Sequence, residues 1–380
     1  MEEEKYYCYL CGKQLTDDNK SDEHIILNAI GGHLHSYSLL CKECNSKLGE
    51  KADAKLAEDL SFFSDMLQVK KNRSNPHKQV MTDKAGNEFV VQDAEAKYNL
   101  RKPSVKLEKE GDAAMLHITA RNMDEVKGLL KKCVNSGKIT QKQADDIIAQ
   151  ASMSEHRPVL SKNASITTEA FPSIVKSAVN FYLDLFHDTA TIQHLIPYVK
   201  GEKDSNDVLY LYILKDLPYS ADTQQVTHMI HLEGHRDTNL LYAMMEYFGI
   251  YTYVVVLDTD YQGEDINKTY AYDVIAGKEV EREFSLKLSK KGLEAFRNQS
   301  HEEYEKYLRC VQERANNVMA VWDKRQRKNV VDSVIDEVFA NHSDESVFTE
   351  TMENEISEKV AQQIVNRMID ASKTINKKER

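Results

Sequence analysis

No stretch of this chain comes near the roughly 18 consecutive apolar residues that a membrane-crossing helix needs. The longest predominantly apolar run, Tyr251 to Leu257, is strand length. The N-terminus opens Met1-Glu2-Glu3-Glu4-Lys5, acidic where an export leader would be basic and then apolar, so a soluble, cytoplasmic protein is expected. Internal repeats and low-complexity segments are also missing, which excludes solenoids and arrays. Positive charge is short too. A formal net charge of −11 excludes a chain that coats nucleic acid by charge alone, although residues 1–80 are near balance, with 11 Lys/Arg against 13 Asp/Glu. Cysteine is sparse, six in 380 residues, and with no export signal the thiols are expected to be reduced.

At 380 residues with 41% hydrophobic content, the chain has material for two or three packed cores. An α+β fold in four parts is expected: 1–68 around the cysteine pairs, a small α+β segment at 79–155, a larger α+β domain at 165–285 and a helical region at 288–380. Asn45 to about Leu67 reads as helix, and the polar, basic stretch 70–78 as a connector. Glu88–Val91 and Ala114–Thr119 have strand composition, in a segment of two or three strands; Met123–Val134 and Gln141–Gln150 have helical spacing. Phe171–Phe186 reads as a helix with Ile174, Ala178, Phe181 and Leu185 on one face. Four strands are expected at 208–214, 225–232, 250–257 and 269–275, while 239–248 suits helix or strand. Two apolar stripes near the C-terminus, Val330 to Phe339 and Ile356, Val360, Ile364 and Met368, suit a core or a homo-oligomer contact.

Four of the six cysteines form two pairs, Cys8-Tyr9-Leu10-Cys11 and Cys41-Lys42-Glu43-Cys44. Each Cys-x-x-Cys turn aims two sulfurs at one point, and two such turns complete a tetrahedral shell for zinc. Four thiolates leave no open coordination position, so this zinc would be structural and the chemistry must lie elsewhere. Cys133 and Cys310 have no partner motif and read as ordinary buried cysteines.

Between the pairs lies Asp22-Glu23-His24-Ile25-Ile26-Leu27-Asn28-Ala29-Ile30-Gly31-Gly32-His33, and after them Asn45-Ser46-Lys47-Leu48-Gly49. This ordered set, Glu-His-Ile-Ile, a Gly-Gly loop and Leu-Leu-Cys-x-x-Cys-Asn, resembles the HNH (His-metal finger) endonucleases over roughly residues 5–55. The resemblance implies a ββα-metal fold with a treble-clef zinc site and phosphodiester hydrolysis in nucleic acid, DNA being the expected substrate. It further implies Glu23 and Asn45 as ligands of a catalytic magnesium or manganese, and His24 as general base. The residue types suit that chemistry independently. Hydrolysis needs a base for water and a cation to offset charge on the phosphorane and departing oxygen, and histidine titrates near neutral pH. The family's middle residue, usually Asn or His, falls where this chain has His35-Ser36-Tyr37-Ser38. The orienting role is therefore open among Ser36, Ser38, His33 and His35. The helix at 171–181 and the residues beyond it are similar to the accessory region of free-standing bacterial HNH proteins, which brings defence against phage as an expected setting.

Other constellations are weaker. His228, His231 and His235 have the i, i+3, i+7 spacing of a helix face inside a strand-like sequence, which scatters them. Asp258 and Asp260 suit a solvated turn. Lys70, Lys71 and Arg73 in the connector, and Lys324, Arg325, Arg327 and Lys328 beside Trp322, are candidate contacts to a nucleic-acid backbone. Two rival functions are a catalytically inactive zinc-dependent nucleic-acid-binding module and a regulatory scaffold for a protein partner. For the cysteine shell, Cys41→Ser is expected to lose bound zinc and melt the N-terminal segment, since structural zinc supplies much of a small domain's folding energy. Full zinc occupancy in that variant, measured by elemental analysis, would disprove the four-cysteine shell.

Overall fold

The computed structural model describes residues 5–71, 78–92, 97–110, 113–150, 158–162, 164–211, 224–298, 300–342 and 347–375. Helix and strand are mixed, and the chain divides into two units that each draw on two stretches of sequence. One joins Met1–Asn75 to Ala164–Lys324, the other Pro76–Asn163 to Arg325–Arg380. No helix among the described residues is long and apolar enough to cross a membrane.

The first unit is built on a six-stranded antiparallel sheet in the order Lys278–Glu279, Ile266–Asp273, Thr227–His235, Leu240–Tyr247, Tyr251–Asp258, Leu209–Leu211. The stretch that suited helix or strand is thus a strand, Leu240–Tyr247, and of 208–214 residues 212–214 lie outside the described residues. Alternate side chains go to opposite faces. Met229, Tyr242, Met244, Val254 and Val256 pack with Phe284, Leu288 and Leu293 on one side. Ile230, Leu232, Ala243, Met245, Val255 and Leu257 join a larger core on the other, which includes the Phe171–Phe186 helix and the N-terminal segment. Covering both faces explains why Leu240–Tyr247 is nearly all apolar rather than alternating, and so was hard to tell from a buried helix.

The Phe171–Phe186 helix is buried from Ser173 to Leu183. Leu185, expected on its apolar face, is instead 41% exposed, because the helix leaves the core at its last turn. Lys176 and Asn180 are among the buried residues, one turn apart on the same face.

In the N-terminal segment, Glu23–His24 pairs antiparallel with His35–Ser36, setting Glu23 opposite Ser36 and His24 opposite His35. Helix begins at Lys42, earlier than expected, and runs to Leu48. A single wider π turn, Gly49–Asp53, then leads into Ala54–Met66. Insertions of this kind re-aim the side chains they carry, here Asp53. Leu56, Leu60 and Phe63 from this helix and Ile25, Ile26 and Ile30 from the hairpin join the same core as the sheet.

Among its described residues the second unit holds five strands where two or three were expected. Gln79–Thr82, Glu88–Gln92 and Lys97–Leu100 form one sheet, and Ser104–Glu110 pairs with Ala113–Thr119. Of the additional strands, Gln79–Thr82 and Lys97–Leu100 are only four residues long and Ser104–Glu110 is rich in charge, so their composition resembles loop. Helices Met123–Asn135 and Gln141–Gln150 come next, as expected. Near the C-terminus, Val334, Val338 and Met352 are buried together with Ile356 and Val360 packed on them, so the two stripes meet within the chain. Ile364 and Met368 fall in the Glu350–Ile375 helix, but their side chains lie outside the described residues.

A polar contact helps fasten the N-terminal segment to the sheet. His228, fully buried, donates from Nε2 to the Ile30 carbonyl at 2.9 Å, while its Nδ1 accepts the Phe248 N–H at 3.2 Å. Phe248 has a left-handed backbone (φ 58°) at the turn into the next strand, an uncommon state that this bond supports. The neutral imidazole satisfies both partners; a second ring proton would confront the Phe248 N–H. Burial accordingly lowers the His228 pKa to about 4. Because the unfolded histidine titrates near 6.5, the unfolded chain binds this proton first as pH falls. The stabilisation is therefore full above about pH 6.5 and is lost progressively down to about pH 4, amounting to about 3 kcal/mol. Urea unfolding at pH 7 and pH 4.5 is expected to show this extra acid sensitivity in the wild type and a smaller one in His228→Gln. Equal pH slopes in the two proteins would remove His228 from the account.

Candidate active site

The four thiols of Cys8, Cys11, Cys41 and Cys44 converge, with all four sulfurs within 4.8 Å of one another. Two backbone bonds tie the pairs to the chain between them: Ser21 N–H donates to the Leu40 carbonyl and Lys42 N–H to that of Asn19. The cluster is thus a staple across a loop, placed where the helix begins, and its arrangement suits structural zinc.

Beside it lies a cavity of about 250 Å³. Glu23 and His24 line it from the first strand with Asp22 just before it, Asn45 from the Lys42–Leu48 helix, Asp53 from the π turn, and Lys176 from the Phe171–Phe186 helix. The three residues expected to carry catalysis, Glu23, His24 and Asn45, are therefore brought together. Asn28 adds its side of the wall.

His24 is half-buried, and burial lowers its pKa; Asp22 opposes that shift while His35, His33 and Lys176 reinforce it. Burial thus favours the uncharged ring, the form a base needs. Of the candidates for the middle role, His35 stands across the hairpin from His24 with ring centroids 5.7 Å apart, and its Nδ1 lies 2.7 Å from Asp22 Oδ1. Ser36 and Ser38 bond to each other through their hydroxyls at 3.0 Å. His33 packs against Tyr272, with ring centroids 4.6 Å apart. His35 is thus the one of the four that sits against His24.

Glu23 is 1% exposed. Its Oε1 takes the Lys176 ammonium at 2.7 Å and the Asn180 amide at 2.9 Å. Lys176 also reaches Asp53 Oδ2 at 2.6 Å, and Ser173 donates to Asp53 Oδ1 at 2.5 Å. The Tyr9 hydroxyl, from the first cysteine pair, donates to Asn180 Oδ1 at 2.9 Å. Burial pushes the Glu23 carboxyl up, with Lys176 pulling against it. Burial also works against the Lys176 ammonium, yet Glu23 and Asp53 together hold its pKa above the ordinary value. Tyr9, Asp53, Lys176 and Asn180 carried no motif of their own. The available cue was a charged and an amide residue four apart inside the apolar stretch Ile174–Leu183.

The donors around the cavity are the carboxylates of Asp22, Glu23 and Asp53, the amides of Asn28 and Asn45 and one imidazole. Such an oxygen-rich set fits a hard divalent ion. Among the described residues Glu23 Oε2 takes no hydrogen bond, which leaves it as a free donor.

The remaining candidates lie apart from this cavity. His228 serves the Ile30 carbonyl, whereas His231 and His235 both bond Glu233, a buried carboxylate that also accepts from Tyr242, Ser285 and the Leu286 amide. The three histidines do not converge. Asp258 accepts the Asp260 N–H at 2.8 Å, a local turn. Lys70 is exposed, Lys71 is paired with Asp65 at 2.6 Å, and Arg73 lies outside the described residues. Lys324 bonds Gln224 and Lys328 pairs with Asp332, while Arg325 and Arg327 sit on the same His301–Asn341 helix. Cys133 is buried and Cys310 half-buried, each free.

Two short strands and a helix, stapled by four converging cysteines, bring Glu23, His24 and Asn45 to one cavity. Residues 8–61 match the family model for HNH endonucleases. No curated protein and no solved structure gives a significant match to the chain.

The Gly31-Gly32 loop between the strands has a steric basis. Gly31 is left-handed (φ 93°), and a Cβ on Gly32 would stand 2.0 Å from the Ile26 carbonyl oxygen. That neighbour is backbone, so it cannot rotate away. Gly32→Ala is expected to cost about 2 kcal/mol or more of stability, read by urea or thermal unfolding with zinc bound. An unchanged midpoint would mean that the loop relaxes without cost.

Proposed function

We propose that this chain is a metal-dependent endonuclease hydrolysing phosphodiester bonds in DNA, with His24 as general base. The observation that carries the reading is that Glu23, His24 and Asn45, from a strand and from the helix beyond the second cysteine pair, line one cavity. His24 is half-buried and lines the cavity, and burial favours its uncharged form, so its ring can take a proton from water placed there. His35, steadied by Asp22, packs against His24 and restricts the ring. Glu23 and Asn45 are the residues that would hold magnesium or manganese, which when bound offsets charge on the phosphorane and the departing oxygen. Lys70, Lys324, Arg325, Arg327 and Lys328 are proposed backbone contacts, and defence against phage is proposed from the family resemblance alone.

The test is nicking of supercoiled plasmid by wild type and His24→Ala, with and without magnesium or manganese. Metal-dependent nicking is expected, reduced by about 100-fold or more in the variant. Undiminished cleavage by His24→Ala would move the base elsewhere. Tight DNA binding with no cleavage by either protein would favour a zinc-dependent binding module instead.

A further inference from the structure

We propose that Lys176 is a positioning residue of the nuclease site, acting through Glu23, and that the Phe171–Phe186 helix is thereby a working part of that site. The proposal rests on the endonuclease reading above. It starts from a placement that needs explaining, a lysine 2% exposed in the middle of an apolar helix. A buried ammonium costs several kcal/mol of lost hydration unless it is paired on all sides. Here it lies between two carboxylates, 2.7 Å from Glu23 and 2.6 Å from Asp53.

Stability alone is a poor reason for such a group, because a buried ion pair is often no better than apolar packing of the same volume. Its location supplies a better one. Lys176 lines the same cavity as His24 and Asn45. Asn180, one turn further along the helix, donates to the same Glu23 oxygen, so Oε1 is held by two donors from one rigid element. A carboxylate fixed at one oxygen cannot swing, and its other oxygen keeps a set direction toward a metal. Tyr9 fixes the Asn180 amide in turn, which links the cysteine staple to the same carboxylate. Asp53 anchors the far side of the ammonium, so Lys176 cannot follow Glu23 if the latter moves. Groups that orient metal ligands in this way typically contribute about 10–100-fold in metal affinity or activity.

The experiment is a manganese titration monitored by electron paramagnetic resonance on the full-length, zinc-loaded protein, alongside plasmid nicking at varied manganese. Wild type, Lys176→Met, Lys176→Arg and Asn180→Ala are compared, with zinc content and thermal melts recorded for each. Lys176→Met is expected to bind manganese about 10–100-fold more weakly and to need correspondingly more for cleavage, with Lys176→Arg recovering most of the loss. A merely structural lysine would lower the melting temperature and leave manganese affinity where it was. Folded Lys176→Met with wild-type affinity and wild-type cleavage overturns the proposal while the endonuclease reading stands. If Lys176→Met does not fold, Asn180→Ala, which keeps every charge, is read by the same criterion. A wild type that neither binds manganese nor cuts plasmid overturns the endonuclease reading and the proposal together.

Discussion

One ammonium group joins three parts of the first unit that lie far apart in sequence. Lys176 holds Glu23 of the hairpin and Asp53 of the π turn from the helix that covers the sheet. The energetics are asymmetric. The intact trio offsets its own desolvation, whereas loss of one member strands a charge in the interior, an effect on the order of 3–5 kcal/mol. Each of the three residues therefore constrains the other two. The π turn reflects the same constraint. A regular helix through residues 49–53 would aim Asp53 elsewhere, and the wider turn gives up regular hydrogen bonding in return for that direction.

Adhesion and alignment come from different forces in this unit. The N-terminal segment is held to the sheet by a shared apolar core in which Ile25, Ile26, Ile30, Leu56 and Phe63 meet Phe248, Tyr251 and their neighbours. Apolar contact is strong but nearly indifferent to a small slide, because it scales with area and carries no direction. Direction comes from polar contacts that tie the segment to the sheet, to the Phe171–Phe186 helix and to the residue leading into it. These are His228 to the Ile30 carbonyl, Tyr9 to Asn180, Asn180 to Glu23, and Asp59 accepting both the amide and the hydroxyl of Thr167 at 2.7 Å. A slide would leave several of these groups buried without partners, which is costly at every one of them.

The features that were legible in the sequence are those set by local spacing. Two Cys-x-x-Cys turns, Glu23-His24, the Gly pair and Asn45 lie within one short stretch, and chemistry restricts what such an ordered set can be. The helices at 123–135 and 141–150 and the main sheet strands were legible from periodicity. What periodicity conveys poorly is an element buried on every side. The Leu240–Tyr247 strand lost its alternation because both faces are covered. The 171–186 helix shows an apolar face, but nothing local tells that its remaining face is buried too, on charged partners 123 and 157 positions away. Nor does the interleaving of the two units have any local signature.

The same reasoning explains why the site is not contained in the segment that carries its motif. A small ββα element has little interior, and its four converging thiols compensate for that. A cysteine staple, however, fixes only the loops it joins. It supplies neither charge nor a donor to the Glu23 carboxylate. Glu23 can be ionised, buried and still only if something outside the segment supplies positive charge and directional donors. Water would supply the charge screening but not the direction. Lys176 and Asn180 supply both, and they can do so because the helix that bears them is immobilised along Ser173–Leu183 against the sheet. Rigidity built by apolar packing in one part of the chain is thus converted, through two side chains, into geometry at a polar site in another.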